Sequence, residues 1–290
     1  MALGTNHLTT TTSAEFIPEV WSMEVLRQTE NALVMAPMVK RFDSEVQRMG
    51  DTIHIPNLTN LTASDKTVSA QVTLQSPTET STTILINKHK ESSFFVEDLL
   101  KAQSNYDLQS EYTSKAGESI ARAVDTDLLS EYSNFTNTDV GTYGVDISDA
   151  TILAAAEAID LANAPLENRA FVVYPTQKTA LLKIDKFVKA DYMGMYQDPT
   201  IVRKGPNSRY MWGDIYGIPV YWTKQVTQSA GTPTQTHNIM FHKEAIALAM
   251  QQAPRTQSDY LIEYLGNIVV VDVIYGVKTL RADFGVEVRS

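Results

Sequence analysis

The sequence predicts an α+β fold in which a compact body carries extended polar segments. Three observations support this fold class. Residues 82–96 form an extended run in which neither face is apolar throughout, residues 106–133 carry one long amphipathic helical stripe, and residues 260–288 are typical of successive strands. The chain has 290 residues, 43% of them hydrophobic, which is enough to bury the core of one large domain or two modest ones.

The charge balance argues against a protein that binds nucleic acid through its phosphates. The formal net charge is −10, whereas phosphate binding normally requires a basic surface. An acidic surface repels DNA, so direct sequence-specific DNA binding is disfavoured. The chain contains no cysteine, which excludes disulfides, thiolate zinc sites and cysteine nucleophiles.

The first 15 residues predict an arm that cannot bury itself. They are polar and rich in threonine, and they lack the basic and apolar regions of a secretory signal. From Ile17 onward, apolar residues recur three or four positions apart, and Pro18 suits a first helical turn. This pattern predicts a helix that ends near Pro37, because proline disfavours helix in the residue before it.

Residues 50–96 predict a long β-hairpin. Ile53 and Ile55 share one side of its first strand, residues 59–81 are rich in Thr, Ser, Asn and Gln, and residues 82–96 form the return strand. With about 20 residues in each arm, the hairpin would reach roughly 60 Å. A polar hairpin of that length is marginal in water on its own. We therefore expect its partner surface to be another copy of the chain.

A single helix is predicted over residues 106–133, roughly 40 Å long. Its stripe repeats every four positions through Leu108, Tyr112, Ala116, Ile120, Val124 and Leu128. Three carboxylates, Asp125, Asp127 and Glu131, cluster near its end. We interpret them as a solvated or inter-subunit helix face rather than as a general acid–base pair.

The rest of the chain alternates helices and strands before it ends in strands. A helix over residues 148–164 is predicted with Ser148 as its N-cap, a second helix begins at Pro175, and a short one follows over residues 242–248. Strand patterns occupy residues 170–174, 217–222, 237–241, 260–264, 267–280 and 284–288. The strand–helix alternation predicts a compact α/β unit.

No catalytic, cofactor-binding or metal site is expected, and the chain is not predicted to be an enzyme. The histidines at positions 7, 54, 89, 237 and 242 are scattered, which favours surface or hydrogen-bonded roles over a metal site. HExxH, nucleophile-elbow and P-loop motifs are absent from the sequence. The aromatic residues between Tyr192 and Tyr216 are as typical of an interface as of a ligand platform.

Six stretches of the sequence carry a resemblance to a known family. They are FIPEVWSMEVLRQTENALVMAPMVKR, GDTIHIP, TTILINKHKESSFFVEDLLKA, GDIYGIPVYWTKQV, HNIMFHKEAIALAMQQ and FGVEVRS. In order and spacing they resemble the exit of the N-arm, the two strands of the E-loop, the A-domain strands and the final P-domain strand of tailed-bacteriophage major capsid proteins. These proteins have the Hong Kong 97 fold. The resemblance covers nearly the whole chain after residue 15.

The resemblance implies a division of the chain and a set of partners. The parts would be residues 1–45 as N-terminal arm and helix, 46–96 as E-loop hairpin, 97–146 as P-domain with spine helix, 147–253 as A-domain and 254–290 as P-domain return strands. Hexamers and pentamers would build an icosahedral shell around double-stranded DNA, assembled in the host cytoplasm and found in the virion. The short arm implies a separate scaffolding protein. A portal and a decoration protein are further implied partners, and no membrane is involved.

Inter-subunit contacts are expected along the arm, the hairpin and the aromatic-rich loop of residues 186–214. The candidate residues are Phe16, Ile17, Trp21, Ile53, Ile55, Lys66, Val72, Leu74, Lys88, Lys90, Tyr210 and Trp212. Some members of the family cross-link subunits through lysine and asparagine. Lys66, near the expected hairpin tip, is the candidate donor, and the sequence identifies no acceptor.

Two other functions remain open at this point. An encapsulin-like nanocompartment shares the fold but packages enzymes, and a groove for a cargo peptide would favour it. The polar arm and the long hairpin favour a phage shell instead. A soluble α+β hydrolase or ligand-binding protein is the third alternative. The missing catalytic constellation and the hairpin without a core face count against it.

Overall fold

The computed structural model describes residues 8–9, 34–46, 50–58, 61–68, 71–72, 74–76, 78–98, 108–184 and 211–290, with the backbone alone for residues 8, 9, 108, 109, 111 and 211–214. The helices of this part are α1 Asp43–Val46, α2 Leu108–Leu129, α3 Asp149–Leu161 and α4 Pro175–Leu182, with 3-10 turns at Ser130–Asn134 and Ala282–Phe284. The strands are β1 Leu8–Thr9, β2 Lys40–Arg41, β3 Thr52–Asn57, β4 Thr80–Leu85, β5 Lys88–Glu97, β6 Val140–Gly141, β7 Arg169–Val173, β8 Met211–Ile215, β9 Ile218–Trp222, β10 Gln228–Ser229, β11 Gln235–His242, β12 Ile246–Leu261, β13 Gly266–Thr279 and β14 Gly285–Arg289.

The long helix packs on a sheet of five strands in the order β1-β5-β13-β12-β2. β12 and β13 form a long antiparallel ribbon, and β5 pairs with β13 from Lys88 opposite Tyr275 to Glu97 opposite Gly266. Alternate β13 residues are fully buried, as is most of the α2 stripe from Ala116 to Leu128. The predicted amphipathic helix is therefore confirmed, and its apolar face is the one that covers the sheet.

A second sheet carries the α/β unit. Its order is β6-β14-β11-β7-β9-β8, with β10 added to β11. β11 is buried along nearly its whole length, and Ile152, Ala155 and Ile159 of α3 join the same core. The Ser148 hydroxyl accepts a hydrogen bond from the Thr151 amide at 3.3 Å, which confirms the predicted N-cap. The strand predicted at 170–174 is confirmed as β7.

The hairpin consists of β3 and β4, with Ile53 opposite Ile84. Its base packs on β12 in a small cluster of its own: Val46, Ile53, Ile84, Ile86, Ala247 and Ala249. Gly276 of β13 lets the end of β4 approach, because a methyl group at position 276 would lie 2.3 Å from the Leu85 carbonyl oxygen. This close approach fixes where the hairpin leaves the body.

Three sequence predictions are wrong in their extent or type. The strand expected over residues 260–264 is the end of β12, which stops at Leu261 and is followed by a turn. The return strand expected over residues 82–96 is broken after Leu85, and its second half joins the five-stranded sheet as β5. The helix expected over residues 242–248 is a turn followed by β12. Residues 245–249 are buried on both faces, so the segment shows no strand-like alternation, and pairing with β13 and β2 overrides its helical propensity.

Candidate assembly surfaces

The loop between β3 and β4 projects apolar side chains into solvent. Its exposed members are Leu58 at 75%, Leu61 at 69%, Val68 at 91%, Val72 at 63% and Leu74 at 91%. We call these five residues the loop patch. Its two sides are tied together where the Thr62 amide donates to the Gln75 side chain at 3.0 Å and the Gln75 amide group donates back to the Thr62 carbonyl. Several apolar side chains as exposed as these on one loop are typical of a surface that a partner covers.

Three carboxylates of the long helix and the turn that follows it hold other parts of the chain. We call Asp125, Asp127 and Glu131 the acidic row. Asp125 accepts hydrogen bonds from the amides of Val34 at 3.0 Å and Met35 at 3.2 Å. It is 2% exposed, and burial raises the pKa of its carboxyl group to about 7 although both amides act to lower it. The segment that enters the body from the N-terminal side is thereby attached to the helix.

Asp127 and Glu131 attach strands of the five-stranded sheet. Asp127 lies 3.1 Å from the Lys88 ammonium and 3.8 Å from that of Lys90, and it accepts a 2.6 Å hydrogen bond from the Tyr275 hydroxyl. Glu131 accepts hydrogen bonds from the amide and hydroxyl groups of Thr279 at 3.0 and 2.7 Å. The interpretation of the acidic row as a solvated or inter-subunit face is therefore wrong, because all three carboxylates bond within the subunit.

A fourth carboxylate secures the other face of the same sheet. Asp272 accepts hydrogen bonds from Gln252 Nε2 at 2.9 Å and Arg255 Nε at 2.8 Å, and it lies 3.1 Å from His89 Nε2. Burial alone would raise the pKa of Asp272, but the hydrogen bonds from Arg255 and His89 hold it below its ordinary value. The β12–β13 register shifts on both sides of Gln252, so these contacts fix an irregular part of the ribbon.

The second sheet contains a buried polar cluster around His237. Its Nδ1 lies 2.7 Å from Glu287 Oε1 and its Nε2 lies 2.9 Å from Ser229 Oγ, which is the order of groups in a hydrolase triad. The rings of Tyr132 and Tyr143 lie 4.3 and 5.4 Å from the imidazole and cover it. Tyr143 also donates to Glu287. The cluster therefore ties β14 to β11 and β10 rather than presenting a histidine to a substrate.

The cleft beside β7 and β9 does not converge on reactive groups. This cleft of about 640 Å³ is lined by Pro37, Met38, Arg169 and Lys243, among others. The guanidinium group of Arg169 is already bonded to Asp160 and to the carbonyl oxygens of Ala164 and Pro165. Within the described segments no His, Cys, Asp and Glu side chains are grouped to hold a metal ion. None of the helices described combines the length and apolar character that a membrane crossing requires.

The structure places the expected contact residues in different surroundings. Lys66, Val72 and Leu74 are exposed in the projecting loop, whereas Ile53 is buried at the hairpin base with Ile55 packed against it. Lys88 and Lys90 bond to Asp127 of their own chain. For Trp212, a residue of β8, the backbone alone is described. The remaining predicted contacts lie outside the described residues: Phe16, Ile17, Trp21 and Tyr210.

Comparison with known proteins identifies both a family and a fold. A family profile described as phage capsid protein matches residues 40–274. Among solved structures, one from Mycobacterium phage Che8 is 22% identical, covers 88% of this chain and 90% of its own, and has a TM-score of 0.72. The mature capsid of bacteriophage PhiM1 is 15% identical, with 96% and 89% of the two chains covered and a TM-score of 0.66.

A solved structure that is described as a virus-like particle rather than as a phage capsid has a similar fold. The virus-like particle from Pyrococcus furiosus is 11% identical, with 93% of this chain and 98% of its own covered and a TM-score of 0.59. No curated protein sequence matches this chain. At these sequence identities the solved structures establish the fold alone, and the family profile establishes the family.

Proposed function

Since the chain belongs to the phage capsid protein family, we propose that it is the major capsid protein of a tailed phage and builds an icosahedral shell from hexamers and pentamers. The architecture is of the Hong Kong 97 type, as in the capsids that it resembles. An encapsulin-like compartment is less well supported, because the profile match is to phage capsid proteins. The role is structural, and the virion is where the protein resides.

The observation that carries this proposal is the loop patch. Five apolar side chains stand 63–91% exposed on a loop whose two strands bury residues only at their base. Burying such side chains on a second subunit would contribute about 25 cal/mol for each Å² of apolar surface removed from water. In the isolated chain these side chains stay in water and contribute little burial energy, so we infer that they stabilise the association of subunits. Lys66, on the same loop, is a proposed contact.

Several partners follow from this role. We propose that a separate scaffolding protein directs assembly in the host cytoplasm, and that a portal and a decoration protein complete the particle. Double-stranded DNA is enclosed without specific binding, in keeping with the net charge of −10. The arm residues Phe16, Ile17 and Trp21 and the aromatic residues Tyr210 and Trp212 are proposed to contribute to subunit contacts as well. Lys88 and Lys90 bond to Asp127, but their side chains stay 30% and 44% exposed, so we propose that they also reach a neighbouring subunit.

Assembly can be tested by electron microscopy and sedimentation of the purified chain, with the candidate scaffolding protein present. The wild-type chain should form capsomers or shells. The double substitution Val68→Ser and Leu74→Ser should abolish shells while leaving the unfolding of the free subunit unchanged, because both side chains are 91% exposed. Leu166→Ser is the matched control, since Leu166 is 77% exposed but lies outside the loop.

The outcomes separate two claims. A wild-type chain that remains a stable monomer under all these conditions would contradict the capsid proposal itself. Normal shells from the double variant would leave the capsid role intact but show that the loop patch is not an assembly contact. Equal loss of shells in the Leu166 control would show that exposed apolar side chains act without regard to position.

A further inference from the structure

The carboxyl group of Asp125 is enclosed between α2 and the segment Val34–Ala36. Its Oδ2 accepts a hydrogen bond from the Val34 amide at 3.0 Å and its Oδ1 accepts one from the Met35 amide at 3.2 Å. Asp125, Val34 and Ala36 are each 2% exposed and Met35 is fully buried. A buried carboxyl group therefore joins the helix directly to the main chain of a segment that is about 90 positions away in sequence.

Asp125 differs from the rest of the acidic row in its charge environment. In the described part of the chain no cationic side chain forms an ion pair with it, whereas Asp127 has Lys88 and Lys90. The charged and titratable groups on neighbouring elements bond elsewhere: Lys88, Lys90 and Tyr275 to Asp127, Arg122 to Glu118, Lys40 to Glu244, and Arg255 to Asp272. An ionised carboxylate at position 125 is consequently buried without a counter-charge, which is costly.

We propose that Asp125 is a proton-controlled latch that holds the segment Val34–Ala36 on the long helix when its carboxyl group is protonated and releases it when the group ionises. The neutral acid can stay buried and still accept a hydrogen bond from one of the two amides through its carbonyl oxygen. The ionised group accepts both, but it also needs water, which reaches it only if the segment lifts. Residues 34–36 join the N-terminal region to the body, so the latch sets how firmly that region is held at its point of entry.

The consequence for assembly rests on the proposed function, in which the arm residues Phe16, Ile17 and Trp21 contact neighbouring subunits. A closed latch keeps residues 34–36 on their own subunit, and an open latch removes this one attachment of the segment that follows the arm. The latch itself is a property of the free subunit. It can therefore be measured whether or not shells form.

Hydrogen exchange of the unassembled full-length chain tests the latch directly. The carboxyl pKa is about 7 in the closed state and takes its ordinary value of 3.8 in the open state. Between these values the opening equilibrium should rise about tenfold per pH unit, and above them it should be constant. After correction for intrinsic exchange rates, the protection of the Val34 and Met35 amides should fall about tenfold per unit from roughly pH 5 to 6.5 and level off above roughly pH 7.5.

Two variants and one internal reference make the result specific. Asp125→Asn should remove the pH dependence at Val34 and Met35, whereas Asp127→Asn, on the same helix, should retain it. The Phe42 amide, which donates to the Leu248 carbonyl at 3.0 Å, reports on the body of the subunit and should show no such slope. This reference decides the question in the wild-type chain even if Asp125→Asn does not fold.

Three results would overturn the latch: protection at Val34 and Met35 that does not change with pH, a slope that survives in Asp125→Asn, or the same slope at Phe42, which would indicate a global change. A slope confined to Val34 and Met35 supports it. Subunits that show this slope but never form shells would contradict the proposed function and leave the latch standing.

Discussion

The hydrogen bond from Tyr275 to Asp127 allows a sharp test of how the long helix is attached to the sheet. The Tyr275 ring is fully buried, and its hydroxyl donates to Asp127 at 2.6 Å. Burial and the neighbouring Asp127 carboxylate raise the pKa of Tyr275, so its hydroxyl stays protonated and remains a donor. Tyr275→Phe removes this donor while the ring continues to fill its place in the core.

The expected loss follows from the partners that remain. A hydrogen bond to a charged acceptor contributes about 1.5–3 kcal/mol. Asp127 keeps Lys88 at 3.1 Å, so the carboxylate is not left unpaired and the loss should lie near the lower end, about 1.5–2 kcal/mol. Tyr260→Phe is the matched control: its hydroxyl donates to Asp98 at 2.7 Å, but Tyr260 is 43% exposed. Water can replace that bond, so the control should lose clearly less stability than the Tyr275 variant.

Urea unfolding of the unassembled subunit measures both losses on one scale. The two variants should share the wild-type dependence on urea concentration and differ only in the midpoint, with the Tyr275 variant lower. Equal losses in the two variants would contradict the argument, because burial would then not govern the strength of the bond. A Tyr275→Phe variant as stable as the wild type would show that Asp127 gains nothing from the hydroxyl.

Three further predictions follow from the same structure. Ile120→Asp places an unpaired charge in the buried α2 stripe, at a cost of several kcal/mol; we expect the variant to be lost from the soluble fraction, and soluble, assembly-competent particles would contradict this. Burial alone would raise the pKa of Glu287, but the hydrogen bonds from His237 and Arg289 hold this pKa below its ordinary value of 4.5. The stability that the Glu287 carboxylate contributes is therefore present above pH 4.5 and is lost as the pH falls through the lowered pKa. Glu287→Gln should flatten that part of the acid unfolding curve, and an unchanged curve would argue against it. A chain that begins at Glu15 loses only the two-residue strand β1 among the described elements. It should nearly keep the unfolding midpoint of the free subunit, but its shells should dissociate at a lower denaturant concentration. Shells as stable as those of the full chain would show that the arm is dispensable.

The sequence predicted elements well where the pattern and the packing agree. The α2 stripe repeats every four residues and is buried accordingly, and Ser148 caps its helix as its residue type suggests. Prediction failed where one segment packs on both faces: residues 245–249 form the buried start of β12, and no periodicity distinguishes such a strand from a helix.

The acidic row shows why the sites were harder to predict than the elements. Lys88 and Lys90 alternate on one face of a strand, and Asp127 lies on the helix that covers that face. The two lysines and the aspartate are visible in the sequence. Their ion pairs depend on the order of strands in the sheet, however, and a single sequence does not contain that order. The attachment of Val34 and Met35 left no signal at all, because main-chain amides are the same for every residue.

The central place of β13 in its sheet has a consequence for the timing of folding during synthesis. β5 has β13 as its long partner, yet β5 ends at Glu97 and β13 ends only at Thr279. Ribosomes add about 5–20 residues each second, so the completed β5 waits roughly 10–40 s before its neighbour emerges. The long helix is made in the same interval and has no sheet to cover until then. A nascent chain therefore cannot complete the five-stranded sheet until β13 has been made, and during this delay β5 lacks its long partner and presents an edge on which another nascent chain can pair.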